Sequence, residues 1–202
     1  MSERDLDAEL LARVARGDAS AVRLLVAHKL PRLIALAARM LGDRMEAEDV
    51  AQEAFVRIWK QAPHWREGEA RFDTWLHRVA MNLCYDRLRA RREVPDETLP
   101  DAQYERYEPE APMPGGPEAA LEARQHGEHV RQALAALPPR QREALVLTYY
   151  QELSNAQAAG VMGLTVDALE SLLVRARRGV RAHLAHLNPA AEGEPSSSTR
   201  KR

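Results

Sequence analysis

FDTWLHRVAMNLCYDRLRARR (residues 72–92) decides the fold, because a helix of this sequence has two distinct faces. The first face is apolar, with the spacing by threes and fours that packing on a core requires, and consists of Phe72, Leu76, Val79, Leu83 and Ala90. The second face mixes cations, aromatic rings and one amide: Arg71, Trp75, Arg78, Asn82, Tyr85 and Arg89. Cations neutralise phosphates, aromatic rings stack on unpaired bases, and an amide can hydrogen-bond to a base edge. The second face therefore indicates nucleic acid binding; the alternative is that Trp75 and Tyr85 pack under a neighbouring segment.

The composition favours a helical, cytoplasmic protein. The chain has 202 residues, enough for one or two small domains, and only 5% of them are aromatic. Leu, Ala and Val dominate, which suits helices more than sheets. A single cysteine, Cys84, excludes an intrachain disulfide and favours a reducing compartment. No apolar run is long enough to span a membrane and the N-terminus is charged, so we expect no membrane insertion and a cytoplasmic location.

Three helical patterns precede the central stretch, over residues 5–16, 21–41 and 43–61. Pro31 lies inside the second pattern and predicts a kink or a break near Lys29 and Leu30. The pair Gly42-Asp43 ends the second helix and begins the third.

The formal net charge is only −1, but the charges are segregated along the chain. Four carboxylates crowd the first turns of the third helix: Asp43, Glu46, Glu48 and Asp49. The helix dipole stabilises anions there, and the alternative is an acidic docking surface for a basic partner. The loop that follows, residues 62–71, carries Trp65 and Arg66 towards the central helix. These two residues fit either a pocket for an unstacked base or a simple packing lid.

A change in composition divides the chain. Residues 93–117 are rich in proline and in acidic residues and cannot bury a core, which predicts a flexible linker. The first domain is therefore expected to span residues 1–92 and the second residues 118–187, with a disordered tail over 188–202. The expected fold class is all-α, with two small helical domains.

A helix-turn-helix is predicted in the second domain. Ser154 and Gln157 have the spacing of a capping box, and Gly163 suits the left-handed residue that ends a helix. Thr165 can cap the next helix. The buried stripe of that helix is expected to consist of Val166, Leu169, Leu173, Ala176 and Val180. Its outward side, where a recognition helix meets the major groove, carries Ser171, Val174, Arg175 and Arg178. An ordinary helical hairpin is the alternative.

Two blocks of this sequence resemble a known family. DVAQEAFVRIW (49–59) followed by residues 72–92 resembles the second conserved region of bacterial RNA polymerase sigma factors. LPPRQREALVLTYYQELSNAQAAGVMGLTVDALESLLVRARRGVRAHL (137–184) resembles the fourth. No segment between them is long enough for a third region, so the arrangement is similar to that of the extracytoplasmic-function (ECF) group. The resemblance implies a sigma factor that binds core RNA polymerase, recognises and melts a limited set of promoters, and is controlled by an anti-sigma factor.

The resemblance also implies roles for the residues at matching positions. The residues that match the polymerase-binding helix of the family are Glu48, Asp49, Gln52 and Glu53. Those that match its minus-10 face, which melts duplex DNA and holds the non-template single strand, are Trp65, Arg66, Trp75, Arg78, Asn82, Asp86 and Arg89. Those that match its minus-35 face are Ser171, Val174, Arg175 and Arg178. Family members usually carry basic residues where this chain has Glu170 and Leu172, so weaker phosphate contact is expected here.

Two other functions fit parts of the sequence. A sigma-like mimic that sequesters an anti-sigma protein would tolerate Glu170 and Leu172 on the recognition helix. A stand-alone helix-turn-helix repressor would need neither the acidic docking helix nor the aromatic face. No nucleophile–base pair, phosphate loop or metal constellation is visible, so we expect no enzymatic activity, no cofactor and no bound metal.

Overall fold

The computed structural model describes residues 3–66, 71–93 and 116–187. The α-helices of these residues are α1 Glu3–Ala15, α2 Ala19–Leu41, α3 Arg44–Gln61, α4 Phe72–Glu93, α5 Gly116–Ala135, α6 Pro139–Leu145, α7 Asn155–Met162 and α8 Val166–Leu187. A 3-10 turn, Ala62–His64, follows α3, and a π-helical turn, Val146–Tyr150, extends α6. The all-α prediction is confirmed, and we call α1–α4 the N-terminal bundle and α5–α8 the C-terminal bundle. Most of the predicted linker (94–115) and the whole predicted tail (188–202) lie outside the described residues.

The predicted boundary between α2 and α3 is confirmed. Gly42 has a left-handed φ of 76°, and its N–H donates to the carbonyl of Ala38 at 2.8 Å. Asp43 then caps α3, because its side chain accepts from the N–H of Glu46 at 2.9 Å. A residue with a Cβ is strained at the backbone angles of Gly42, so the turn is fixed at this position.

α2 is continuous from Ala19 to Leu41, so the break that Pro31 predicted as one alternative is not present. Pro31 lies on the exposed side of the helix, where the carbonyl that loses its N–H partner can be hydrated. The opposite side is buried through Leu25, Leu33 and Leu36. Because this side is buried both before Pro31, at Leu25, and after it, at Leu33 and Leu36, the helix stays continuous despite one lost hydrogen bond.

The apolar face of α4 is the one that the sequence predicts, except at its C-terminal end. Phe72, Leu76, Val79 and Leu83 are buried. The prediction that Ala90 is buried is wrong: Ala90 is exposed, and polar bonds anchor the end of α4 beyond Leu88, which still packs on the core. Arg91 makes these bonds: its Nη1 donates to the carbonyl of Leu41 at 2.9 Å, and its Nη2 lies 2.8 Å from Oε2 of Glu46.

Cys84, in the middle of α4, is fully buried. Burial raises the pKa of its thiol to about 12, with smaller contributions from the carboxylates of Glu143 and Glu46. The thiolate is the reactive form of cysteine, and this pKa leaves almost none of it at neutral pH. Cys84 is therefore a packing residue of the core and not a reactive thiol.

A buried ion triad joins three helices of the N-terminal bundle. Lys29 of α2 is 4% exposed, and its Nζ lies 2.8 Å from Oδ2 of Asp7 in α1 and 2.7 Å from Oδ1 of Asp73 in α4. The ammonium also lies 5.9 Å from the centroid of the Phe72 ring. Burial opposes the charge, but the two carboxylates outweigh it and raise the pKa of Lys29. The triad therefore fixes the start of α4 against α1 and α2.

The helix-turn-helix is present in the C-terminal bundle. Ser154 and Gln157 form both hydrogen bonds of the capping box, and Gly163 ends α7 with a φ of 64°. The hydroxyl of Thr165 accepts from the N–H of Ala168 at 3.2 Å and so caps α8. α7 and α8 are thus held at the angle that their two caps and the glycine turn dictate.

The buried stripe of α8 is correct for Leu169, Leu173 and Ala176, while Val180 is half-buried. Val166 is exposed, contrary to prediction, because the side chain of the first helical residue points back over the turn and beyond the helix contact. Among the described helices, no single one is long and apolar enough to cross a membrane. Among the same residues, α7 and α8 taken together have the length and apolar composition of a membrane span, but they are bent by 97° at the turn between them.

Candidate nucleic-acid interface

An aromatic cluster lies at the start of α4. The ring of Trp65 packs edge-on against Phe72 and Trp75, with centroids 5.5 and 5.7 Å away. Phe72 and Trp75 stack with centroids 5.9 Å apart. Both tryptophans are half-buried, so each packs on one side and keeps part of its ring accessible. The structure thus brings together Trp65 and Trp75, which the sequence placed on a loop and on a helix.

Further along α4, Arg78 and Asn82 face the C-terminal bundle. Arg78 donates from Nη2 to the carbonyl of Gly160 in α7 at 2.6 Å. Asn82 is exposed and opens onto a cleft of about 240 Å³ between the two bundles. The residues of the C-terminal bundle that line this cleft are Arg140, Glu143, Val161, Met162 and Gly163.

Tyr85 lines the same cleft and bridges the two bundles. Its hydroxyl donates to Oε2 of Glu143 at 2.5 Å, and Nη1 of Arg140 lies 3.3 Å from the same oxygen. Glu143 is 2% exposed, and this burial raises the pKa of its carboxyl against the opposing effects of Tyr85 and Arg140. Burial and the bond to Glu143 likewise raise the pKa of Tyr85. In this arrangement Tyr85 packs under a neighbouring segment, which was the alternative considered for it.

The remaining predicted minus-10 residues lie on exposed positions at either end of the face. Arg66 is exposed on the loop before α4. Nη1 of Arg89 lies 3.6 Å from Oδ1 of Asp86, and both side chains are largely in solvent. An ion pair this exposed contributes little to stability, so both side chains can be redirected to a ligand.

The structure separates the acidic residues at the start of α3 into two groups. Asp43 is the N-cap and Glu46 is bound to Arg91, so these two serve the fold. The four residues predicted to bind the polymerase project outwards: Glu48, Asp49, Gln52 and Glu53. Val56, which the sequence reasoning missed, is 46% exposed beside them. Its position four residues after Gln52 and three after Glu53 would have placed it on this face.

The outward face of α8 carries the four predicted minus-35 residues. Ser171, Val174, Arg175 and Arg178 are all exposed, and Val174 is 53% exposed although it is apolar. Glu170 is also exposed, and its Oε1 accepts from Nδ2 of Asn155 at 3.2 Å. Leu172 is half-buried against the core and therefore packs where a family member's basic residue would project.

Contacts between the two bundles were not predicted from the sequence. Arg142, a buried residue of α6, donates to the carbonyls of Leu134 and Ala135 in its own bundle and to that of Met40 in α2. Burial lowers the pKa of Arg142, and nearby Arg91 adds to the effect. The period of a helical pattern does not indicate a partner that lies beyond the linker. The bond between Arg142 and the carbonyl of Met40 could therefore not be predicted from the sequence.

Two further contacts join α2 and α4 to the segment that follows α6. The guanidinium of Arg39 lies 4.1 Å from the centroid of the Tyr150 ring, which belongs to the π-helical turn. Nε2 of His77 lies 3.3 Å from Oε1 of Gln151. A second cleft of about 390 Å³, lined mainly by polar residues, lies beside these contacts.

Comparisons with known proteins agree with this architecture. Residues 25–94 match the family Sigma-70 region 2, and residues 128–178 match Sigma-70, region 4. RNA polymerase sigma-H factor of Pseudomonas aeruginosa is 34% identical over 183 residues, which are 89% of this chain and 94% of that protein. ECF RNA polymerase sigma factor SigW of Bacillus subtilis is 30% identical over 186 residues, which are 88% of this chain and 96% of that protein.

Two solved structures are similar across both bundles. CnrH, in complex with the cytosolic domain of CnrY, has 30% sequence identity and a TM-score of 0.63, with coverage of 90% of this chain and 99% of CnrH. The sigma factor RpoE of Bartonella quintana, in complex with the anti-sigma factor NepR, has 25% identity and a TM-score of 0.60. That match covers 81% of this chain and 96% of RpoE.

Proposed function

This chain belongs to the extracytoplasmic-function group of RNA polymerase sigma factors, and on that premise we propose how its two bundles share the work of transcription initiation. A sigma factor directs core RNA polymerase to promoters. The work is binding in the cytoplasm and makes or breaks no bond, because capture of a single strand offsets the cost of unpairing bases. One observation carries the proposal: a single chain combines a helix-turn-helix with an α4 face of aromatic, cationic and amide groups.

Core polymerase binds the outer face of α3 in this proposal. Val56, which is exposed, lies one turn beyond Gln52 and Glu53 on the face that also carries Glu48 and Asp49. Glu48 and Glu53 also pair with Arg44 and Arg57 on the same helix, at 3.0 and 2.8 Å. Such partly exposed pairs are weak, so the carboxylates can turn to a basic partner, while Val56 supplies the apolar centre of the contact.

The non-template strand of the minus-10 element binds along α4. Trp65 and Trp75 offer ring surface for an unstacked base, Asn82 offers an amide for a base edge, and Arg66, Arg78 and Arg89 neutralise phosphates. Asp86 lies beside Arg89 at the duplex end of this face. The aromatic cluster supports this assignment because packing holds both indoles in place before any base arrives.

The minus-35 element binds the outward face of α8. Arg175 and Arg178 contact the phosphates or guanine edges of the major groove, and Ser171 hydrogen-bonds to a base. Val174 is 53% exposed although it is apolar, and it suits contact with a thymine methyl group. The exposed carboxylate of Glu170, next to these residues, opposes phosphate binding and weakens the contact.

An anti-sigma factor controls the protein in this proposal. The solved structure of the RpoE relative holds such a protein, and its likeness extends over both bundles. An alternative function, a mimic that sequesters an anti-sigma factor, is favoured by one observation: the anion of Glu170 stands on the recognition helix. Transcription distinguishes the two functions, because a mimic would not start RNA chains.

The experiment that tests the proposed function is transcription in vitro. Purified protein is added to sigma-free core polymerase with fragmented genomic DNA of the same organism. Discrete start sites that require the protein are expected, and their upstream sequences give both promoter elements. Binding to core without transcripts would favour the mimic, and absence of core binding would reject the sigma assignment.

Replacing Glu170 with arginine is expected to tighten binding to minus-35 duplex DNA by about tenfold at low salt, because an anion beside the phosphates becomes a cation. The salt dependence of binding should also become steeper. Fluorescence anisotropy with the duplex mapped by transcription measures both effects. Glu9→Arg, the same charge change on α1, is the matched control and should leave affinity unchanged. Equal affinities for Glu170→Arg and wild type would remove Glu170 from the DNA interface.

A further inference from the structure

A chain of contacts joins α1 to the two indoles of the aromatic cluster. Oδ2 of Asp7 in α1 lies 2.8 Å from Nζ of Lys29, and the same Nζ lies 2.7 Å from Oδ1 of Asp73 at the start of α4. The ammonium also lies 5.9 Å from the ring centroid of Phe72, the residue before Asp73. The Phe72 ring in turn contacts both indoles, with centroids 5.5 and 5.9 Å away. The buried ion triad and the aromatic cluster are therefore neighbours within one contact.

α1 also contacts the segment that carries the other indole. It packs on the 3-10 turn Ala62–His64, and the N–H of Trp65 donates to the carbonyl of Ala62 at 3.3 Å. α1 thus supports the turn before Trp65 directly and, through the ion triad, the first turn of α4 that carries Trp75. α1 itself precedes residues 25–94, which match Sigma-70 region 2, and it contains none of the residues proposed to bind DNA or polymerase.

The triad is suited to position other groups and not to bind DNA itself. The side chains of Lys29 and Asp7 are only 5% and 7% exposed, so neither can reach a phosphate. Hydrophobic contact has no preferred direction, whereas short bonds between an ammonium and a carboxylate fix both a distance and a direction. A rotation of the first turn of α4 would break the bond to Asp73 and displace Trp75, two residues further on.

We propose that Asp7 and Lys29 are positioning residues for the minus-10 interaction: the ion triad holds the two indoles of the aromatic cluster in the arrangement that accepts an unstacked base. This inference rests on the proposed function for its DNA ligand, whereas the link between the triad and the indoles is independent of it. Because the indoles are in place before the base arrives, binding does not have to order them, and loss of that order lowers the affinity for the strand.

The variant Lys29→Met/Asp7→Leu separates positioning from stability. It replaces a buried ion pair with apolar side chains of similar size, a change that is often neutral or stabilising. Asp73 can be hydrated once the ammonium is gone, because its side chain is 28% exposed. The variant should therefore melt close to wild type and bind core polymerase as tightly.

The matched control is Met40→Ala, which destabilises the same helix at a distance from the cluster. Met40 is fully buried in α2, eleven residues after Lys29 and so about 16 Å further along the helix. The cavity left by the truncation should lower the melting temperature. The arrangement of the two indoles should not change.

The first readout needs no DNA. Two indoles in contact give an exciton couplet in far-ultraviolet circular dichroism, and the rings of Trp65 and Trp75 lie 5.7 Å apart between centroids. Trp65→Phe should abolish the couplet and so assigns it, while Trp59→Phe, which removes an indole of α3, should retain it. The couplet should shrink in Lys29→Met/Asp7→Leu and persist in Met40→Ala. An unchanged couplet in the double variant would overturn the proposal.

The second readout is affinity for the strand, measured on the complex of core polymerase with each variant. The probe is the labelled non-template strand of the minus-10 element mapped by transcription. The double variant should bind it about tenfold more weakly than wild type, a loss of the order of one base–indole stack. Met40→Ala should bind as wild type does. Equal affinity for wild type and the double variant, or an equal loss in Met40→Ala, would contradict the positioning role.

Two substitutions of Asp73 keep the test decisive if the double variant does not fold. Both leave the ammonium of Lys29 paired with Asp7, so no buried charge is stranded. Asp73→Asn removes the charge that anchors α4 and should weaken both the couplet and strand binding. Asp73→Glu keeps a carboxylate and should restore most of both. If the two substitutions behave alike, the triad does not position the indoles.

The couplet also separates this inference from the proposed function. If the couplet depends on the triad but transcription yields no promoters, the proposed function fails and the link between the triad and the indoles stands. If transcription succeeds while the double variant keeps the couplet and the strand affinity of wild type, the positioning role fails and the proposed function stands.

Discussion

Replacing Lys29 with alanine is expected to lower the free energy of unfolding by about 3–5 kcal/mol. The ammonium is the counter-charge of Asp7 and Asp73, at 2.8 and 2.7 Å, and truncation leaves both carboxylates without it. Asp7 is itself buried, so water cannot replace the ammonium unless the bundle opens. Unfolding in urea, followed by circular dichroism, measures the loss.

The matched control is Lys60→Ala, which truncates an exposed lysine of α3. It should change the free energy of unfolding by less than about 0.5 kcal/mol. The variant Lys29→Ala/Asp7→Asn should recover part of the loss, because one of the two carboxylate charges that the ammonium balances is gone. If Lys29→Ala and Lys60→Ala unfold at the same urea concentration, the triad does not stabilise the fold.

Trp75→Ala and Asn82→Ala are expected to reduce promoter opening by about tenfold or more, with core polymerase binding retained, because stacking on one base is worth about 1–3 kcal/mol. Asp49→Ala should do the reverse, since this exposed carboxylate lies on the face assigned to the polymerase. Its 3.4 Å contact with Arg87 is too exposed to matter for stability. Permanganate footprinting measures opening, and anisotropy with labelled core measures binding.

Two controls accompany these variants. Trp59→Ala removes an indole that packs on Phe55 of α3, with 5.5 Å between the ring centroids. The ratio of promoter opening to core binding should be the same for this variant as for wild type. Gln125→Ala removes an exposed amide from α5 and should change neither quantity. If Trp75→Ala, Asn82→Ala and Asp49→Ala all weaken core binding equally, the division of work between α3 and α4 is wrong.

The local features of the fold were accessible from the sequence because neighbouring residues determine them. The capping box of Ser154 and Gln157, the left-handed Gly163 and the cap of Thr165 each depend on a few consecutive residues. The apolar stripe of α4 follows in the same way from its period. Ala90 was misplaced because periodicity does not indicate where the core that a helix packs against comes to an end.

The candidate site could be predicted from the sequence only in part, because many of its contacts join residues that are distant along the chain. The sequence placed Trp65 on a loop that leads into the helix of Trp75, but it could not indicate that both rings share a cluster with Phe72. The acidic residues at the start of α3 have the same local pattern, but contacts distant in sequence hold Glu46 against Arg91, whereas Asp49 stays exposed with only a 3.4 Å contact to Arg87. The bond between Tyr85 and Glu143 crosses between bundles, so no local pattern could reveal it.

Because Cys84 is buried, its alkylation can be used to measure unfolding of the protein. The chain has no other cysteine, and this one is fully buried with the pKa of its thiol raised to about 12. An alkylating reagent at neutral pH can therefore modify the protein only when α4 leaves the core. Unfolding of the N-terminal bundle would therefore appear in the mass spectrum as one added alkyl group per molecule.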